Sequence, residues 1–252
     1  MEGRLDMAID EALAEAVGRG DSPPVARLYG FAPATLSLGR FQRVKEVLAA
    51  ERLIADGITL VRRPTGGHAV LHDSELTYSV ALSKVESGSL LGGARKRDVY
   101  MFIARILVRG LAMLGIKATI NAAQRGDIRN PDCFGSAGEY EISGRDERKL
   151  IGSAQMTTRT AVLQHGSIPM ENPGLRVFRY LRVEQPPDAH PPSCLNEETG
   201  RIVAFEEAQD AFARAFKETI GAQDSGLLPA ESAAAERILA EKYSSDAWNF
   251  SY

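Results

Sequence analysis

"VRRPTGGHAVLHDSELTYS", residues 61–79, sets the frame of the chain. A run ending in Arg62 and Arg63 enters a Pro-Thr-Gly-Gly turn. Paired glycines let backbone N–H groups approach a carbonyl or phosphate closely, because no Cβ intervenes. Strand patterns flank the turn. "ITLVRR" precedes it. "AVLH" and "ELTYSVALS" follow as an expected strand pair, with Thr77, Ser79 and Ala81 alternating against Leu76, Tyr78, Val80 and Leu82. His68 and His72 are four apart, which on a strand puts both on one face. Arg62, Arg63, Gly66 and Gly67 make a candidate cradle for a phosphate or the polar end of an acyl chain. A tight hairpin with solvated arginines is the plain alternative.

Outward from this stretch the elements alternate between the two periods. Residues 4–17 carry Leu5, Ile9, Ala12, Leu13 and Ala16 near a 3.6 repeat, a helix. "VARLYG" and "ATLSLG" read as strands, and "KEVLAAERLIADG" as one helix stopped by Gly57. Residues 98–114 give a long helix ending at Gly115. Short strands follow in "KATINA", "EYEIS", "KLIGSAQMT" and "AVLQHGSIPM", then helices at about 204–220 and 229–242. Strands in hairpin succession with flanking helices predict an α+β fold, a mixed β-sheet core flanked by helices with a small helical C-terminal portion. Residues 184–201, rich in proline and polar side chains, are expected to be a loop or linker. It divides a catalytic domain, 1–183, from a helical segment, 202–252, packed on the same domain.

Composition excludes several classes. The 252 residues are 44% hydrophobic and 25% charged, with a net charge of −3, so no global basic field calls for nucleic acid. The start, "MEGRLDMAIDEALAEAV", is acidic and amphipathic, unlike a signal peptide. No apolar run approaches the ~20 residues of a membrane helix. Two cysteines, Cys133 and Cys194, make no disulfide framework. The expected compartment is the cytoplasm, with both thiols reduced and a Cys133–Cys194 disulfide the least favoured reading. No G-x-G-x-x-G or Walker loop is present. His68, His72 and Asp73 form an H-x-x-x-H-D cluster, but nothing in the spacing of Cys133 or His165 adds the further ligands zinc wants, so no metal is assigned.

"KLIGSAQMTTRTAVLQHGSIPM", residues 149–170, is the second informative stretch. Lys149 introduces an apolar pair, then Gly152, Ser153, Ala154 and Gln155, small residues against which a ligand can lie. His165 and Gly166 repeat the idea. Cys133, in "CFGSAGEYEI", sits among glycines.

Together these stretches resemble the lipoate/biotin protein ligase superfamily. "RRPTGGHAVLHDSELTYS" is similar to its R-R-x-x-G-G-x-A-V-x-H-D signature and "RKLIGSAQ…LQHGSI" to its second one, with Arg145 or Arg148 as the motif arginine. "CFGSAGEYEI" resembles the segment of the cysteine-dependent octanoyltransferases. The resemblance implies a lipoate-ligase-like fold and transfer of octanoyl from octanoyl-acyl carrier protein to Cys133. From there it passes to a lysine of a lipoyl domain or of glycine-cleavage H protein. It implies Lys149 as the second catalytic residue and no cofactor, nucleic acid or membrane. The substrate-binding residues expected are Arg62, Arg63, Gly66, Gly67, His68, Val70, His72, Tyr78, Gly152, Ser153, Ala154, Gln155, His165 and Gly166. The chemistry fits, since acyl transfer by way of an enzyme thioester suits sulfur and a thiolate wants a positive charge nearby. Lys149 is open to three uses: lowering the thiol pKa, polarising the carbonyl, or taking the amine's proton. Val70, Leu71, Leu76, Tyr78 and Ile151 are the expected walls of an acyl groove. Arg95, Lys96 and Arg97 offer a basic docking patch, or a solvated helix start. An ATP-dependent lipoate ligase and a non-catalytic partner subunit are the alternatives.

Overall fold

The computed structural model describes residues 3–85, 88, 95–121, 141–187 and 189–251. Helix α1 (Gly3–Arg19) is buried on two sides, against the large sheet and against α7 (Pro229–Ile238) near the other end of the chain. Its apolar 3.6 repeat supplies Met7, Ile9, Leu13 and Val17, and Asp6 and Asp10 are buried with them.

Two sheets share the middle of the molecule. The larger has the order β1 (Val25–Tyr29), β5 (Glu75–Ser83), β9 (Ala161–Pro169), β8 (Lys149–Thr157), β7 (Ile142–Ser143), β6 (Thr119–Ile120), antiparallel throughout. The smaller has the order β3 (Thr59–Arg62), β2 (Thr35–Leu38), β4 (Val70–His72), with β2–β3 parallel and β2–β4 antiparallel. The fold is α+β, and the mixed pairing is confined to the smaller sheet.

One face of the large sheet carries Leu76, Tyr78, Val80 and Leu82. It packs on α4 (Lys96–Met113) and α6 (Phe205–Ile220) through Ile103, Leu107, Phe212 and Phe216. The other face meets α1 through Ala81 and Leu163. Leu36, Leu38, Leu60 and Leu71 of the smaller sheet close a second core with Phe178 and Leu181.

Three expectations need correction. Residues 69–72 and 75–83 are not a strand pair. Both neighbours of β5 are taken by β1 and β9, and Ser74, at φ 59°, turns the chain from one sheet into the other. The helix over 45–57 is two short ones, α2 (Val44–Val47) and α3 (Ala50–Ala55). Between them the backbone goes to another segment: Ala49 N donates to Tyr180 O at 2.9 Å and Arg182 N to Val47 O at 2.8 Å. Within 184–201 lies a helical turn, α5 (Leu195–Thr199), with Ser193, Cys194 and Leu195 buried. Cys194 is a free thiol there, and burial pushes its pKa up.

Candidate active site

The smaller sheet, β5, β8 and β9 meet α1 over a narrow, partly open cavity. Its wall brings together eight expected residues: Arg63, Val70, His72, Gly152, Ser153, Ala154, His165 and Gly166. Met7, Phe31, Thr77 and Ser167 complete it. Sequence reasoning missed these four: Met7 falls inside the helix pattern of 4–17, Phe31 in the turn between two strand patterns, and Thr77 and Ser167 within strands. Leu71, Leu76, Tyr78 and Ile151 instead lie in the two hydrophobic cores. Tyr78 donates to Ser153 Oγ at 2.7 Å behind the wall, and burial pushes its pKa up to about 12. Gln155 is tied to Gln164 at 3.1 Å.

Two hydrogen-bonded chains run from this wall to buried carboxylates. His165 Nδ1 faces Asp10 Oδ2 at 3.4 Å and its Nε2 faces Thr65 Oγ1 at 2.7 Å. A carboxylate only accepts, so the network assigns the proton to Nδ1, leaving Nε2 to accept from Thr65. Burial is the main influence on His165 and lowers its pKa, leaving a neutral ring. Burial opposes the Asp10 charge, but the His165 hydrogen bond and the Arg27 guanidinium outweigh it and hold its pKa below the usual carboxylate range. Tyr29 and Ser79 also donate to Asp10, at 2.8 and 2.7 Å. In the second chain His72 Nδ1 bonds Glu75, and its Nε2 lies 2.6 Å from Ser37 Oγ. Thr77 and Ser167 donate to Glu75 as well. Burial again opposes the charge; His72 and these donors prevail and lower the Glu75 pKa. Phe31 stacks on His72 at 4.1 Å. Each imidazole is thus held in one orientation by a carboxylate three or more residues away.

The two arginines part company. Arg63 lines the cavity while its guanidinium bonds Ser37 Oγ (2.7 Å) and the carbonyls of Ser37, Gly66 and His68 (3.0, 3.1 and 2.7 Å). Arg62 is fully buried outside the cavity wall. It donates to the carbonyls of Gly39, Arg40 and Gln42 at 2.9, 3.0 and 2.9 Å, and to those of Trp248 and Ser251 at 3.1 and 2.6 Å. Gly66 and Gly67 border the cavity without lining it: a Cβ on Gly67 would sit 3.2 Å from the Arg63 guanidinium and 3.8 Å from Ala154. His68 precedes β4, so it does not share a strand face with His72. Asp73 pairs with Arg176 at 2.7 Å. Among the described residues no group of three His, Cys, Asp or Glu side chains is placed to hold a metal ion.

Lys149 reaches the cavity's side of the sheet by a bulge. Ser143 stands opposite Lys149 and Ile142 opposite Ile151, so Leu150 is one residue extra on β8. Leu150 and Ile151 both enter the core with Ile142. Lys149 and Glu141 therefore lie on the opposite face, that of Gly152 and Ala154, and their side chains form an ion pair. Gly152 is about 10 Å along the strand from Lys149, at ~3.3 Å per residue. Neighbouring segments brace the hairpin. Ser193 N donates to Lys149 O at 2.9 Å, Arg145 N to the Glu198 carboxylate at 3.0 Å and Arg148 to Glu197 at 2.7 Å. Both candidates for the motif arginine are spent on this bracing.

Cys133 lies outside the described residues. The residues bounding its segment are described: Asn121 N donates to Glu141 O at 2.8 Å. Asn121 and Glu141 are thus hydrogen-bonded to each other, and Glu141 is also the partner of Lys149.

Residues 2–217 match the lipoyl protein ligase A/B catalytic domain. The chain belongs to that family. It is 39% identical to the octanoyltransferase LipM of Kyrpidia tusciae over 98% of this chain and 94% of that one. Further octanoyltransferases LipM are 32–36% identical over nearly the whole chain. Among solved structures, lipoate-protein ligase A bound with ATP superposes with a TM-score of 0.81 at 24% identity, covering 99% of each chain. A chain from the structural analysis of an archaeal lipoylation system, a bi-partite lipoate protein ligase and its E2 lipoyl domain from Thermoplasma acidophilum, gives 0.72 at 25% identity over 98% of this chain and 91% of that one. The family's fold is the one described above. No helix among the described residues is long and apolar enough to cross a membrane.

Proposed function

We propose that the chain moves octanoyl from octanoyl-acyl carrier protein onto Cys133 and then onto a lysine of a lipoyl domain or glycine-cleavage H protein. The chain is an acyltransferase of protein lipoylation, as its octanoyltransferase relatives are over nearly its whole length. The observation that supports the residue assignment is the buried Lys149–Glu141 ion pair, turned to the face of Gly152 and Ala154 by the bulge at Leu150.

In the first step the Cys133 thiolate attacks the thioester carbonyl. Its Sγ–C bond forms, the carrier's C–S bond breaks, and the carrier thiolate leaves, taking up the proton that the Cys133 thiol had given up. In the second step the acceptor amine attacks the enzyme thioester. The amide C–N bond forms, the Cys133 Sγ–C bond breaks, and the amine's proton returns to the released Cys133 thiolate. Lys149 supplies an ammonium that favours thiolate in both states. Val70, Met7, Phe31 and Ala154 offer the acyl chain apolar wall, each buried methylene contributing ~0.8 kcal/mol.

Mixing the protein with octanoyl-carrier protein should raise its intact mass by one octanoyl group, mapped to Cys133. Undiminished acylation of Cys133→Ser would overturn the assignment.

A further inference from the structure

We propose that Phe41 and its basic flank, "GRFQRVK", are the docking surface for the acidic protein that carries the acyl donor. The inference rests on the octanoyltransferase reading and adds the place where the donor's protein body sits. A single exposed phenylalanine is ordinary on a protein surface. Phe41, 71% exposed, differs because the loop presenting it is fixed from beneath. Buried Arg62 spends one end of its guanidinium on three carbonyls of residues 39, 40 and 42. Gly39 N donates to Gln42 Oε1 at 2.9 Å, and Arg40 N to Thr65 O at 2.8 Å. A rigid, exposed aromatic loses little freedom on binding, which is what makes such residues anchors of interfaces.

The loop stands at the cavity's edge. A Cβ on Gly66 would lie 3.9 Å from the Phe41 ring, and the Gly66 carbonyl is held by cavity-lining Arg63. After Phe41 the exposed flank carries Arg43 and Lys45 with one anion, Glu46, which pairs with Arg43 at 3.0 Å, and the half-buried Arg40 guanidinium lies 5.7 Å from the Phe41 ring. On a chain of net charge −3, attraction of an acidic partner has to come from such a local patch. The donor fits better than the acceptor. The acceptor has to bring a lysine to the cavity, and a cationic patch at the cavity's edge repels one, whereas it attracts the donor's acidic body.

Steady-state transfer measured with two donors tests this. Octanoyl-carrier protein has an acidic body, and octanoyl-CoA has the arm without the body. Phe41→Ala, and separately Arg43→Glu with Lys45→Glu, should raise KM for the carrier donor about tenfold or more. KM for octanoyl-CoA and for the acceptor should stay within about threefold. The wild-type rate with the carrier should fall as salt is added. Three results overturn the proposal: equal rises for both donors, a rise confined to the acceptor, or no rise at all. It is also overturned if Arg95→Glu, Lys96→Glu and Arg97→Glu together raise the carrier KM while the Phe41 loop variants do not. Wild-type protein that transfers from neither donor would instead reject the octanoyltransferase reading itself.

Discussion

Lys149 and Glu141 meet on one face of the β7–β8 hairpin because Leu150, a single extra residue, turns Lys149 away from the core that takes Leu150 and Ile151. A regular ladder would have aimed Lys149 the same way as Ile151. The ion pair is nearly buried, with both side chains at or below 10% exposure. A buried pair of this kind is weak evidence for stability, and its geometry matters more as a way of aiming a charge.

Lys149→Ala should retain a cooperative unfolding transition while turnover falls by ~10²-fold or more, the range for losing acid–base or electrostatic help. Glu141→Gln removes the carboxylate that favours the ammonium. Turnover of Glu141→Gln should therefore fall in the same direction as that of Lys149→Ala, by a smaller factor. Turnover equal to wild type in the Gln variant would mean that Glu141 does not act through Lys149.

Asp6 is a buried carboxylate whose Oδ2 has no hydrogen-bond partner among the described residues, and burial, against the pull of Arg27, raises its pKa to about 6. The folded protein then binds a proton that the unfolded chain has already released. Wild-type stability should consequently fall as pH rises from about 4 to 6 at this site, by up to ~3 kcal/mol at 1.36 kcal/mol per unit. Asp6→Asn should lack that component. Denaturant unfolding of both proteins at pH 4 and 7 checks it, with the difference between them expected to shift in favour of the variant at the higher pH.

Gly39 packs against Gly67 so closely that a Cβ there would collide with the Gly67 carbonyl. Gly39→Ala should cost about 3 kcal/mol, the upper end for overpacking, and weaken acyl transfer by displacing the glycine turn. Gly226→Ala, at an open position with nothing within 4 Å, is the comparison and should change thermal stability little.

Transfer from octanoyl-carrier protein to a lipoyl domain should proceed after nucleotide and magnesium are stripped away, because the thioester already activates the acyl group. The likeness to an ATP-bound ligase is one of fold at 24% identity. A strict requirement for ATP, with free octanoate or lipoate as substrate, would place the chain with the ligases.

The legible parts of the sequence were those where the local pattern is also the global one. Helix α4 was expected over 98–114 and runs Lys96–Met113, since its apolar stripe faces a core on its own. The small residues of 152–154 and His165–Gly166 do meet, because β8 and β9 pair directly. Elsewhere long-range partners decided. Arg62 and Arg63 look alike in sequence, and the carbonyls of residues 39, 40, 42, 248 and 251 make one a brace while the other lines the cavity. Asp10 looks like the polar side of an amphipathic helix until the sheet closes over it. Glu75 had a usable signal, an acid three residues after His72. The break at Leu48–Ala49 is made by residues 180–182, which no local propensity foretells.

The closure of Arg62 by the carbonyls of Trp248 and Ser251 also orders assembly in time. These contacts span about three quarters of the chain, the kind of separation whose closure entropy is met late in folding. On the ribosome, both sheets can form while the brace beneath the 39–42 loop still lacks two of its acceptors. The rim of the cavity is finished by residues that emerge well after the last strand, so a chain stalled or clipped ahead of Trp248 would keep its strands and lose its grip on Phe41.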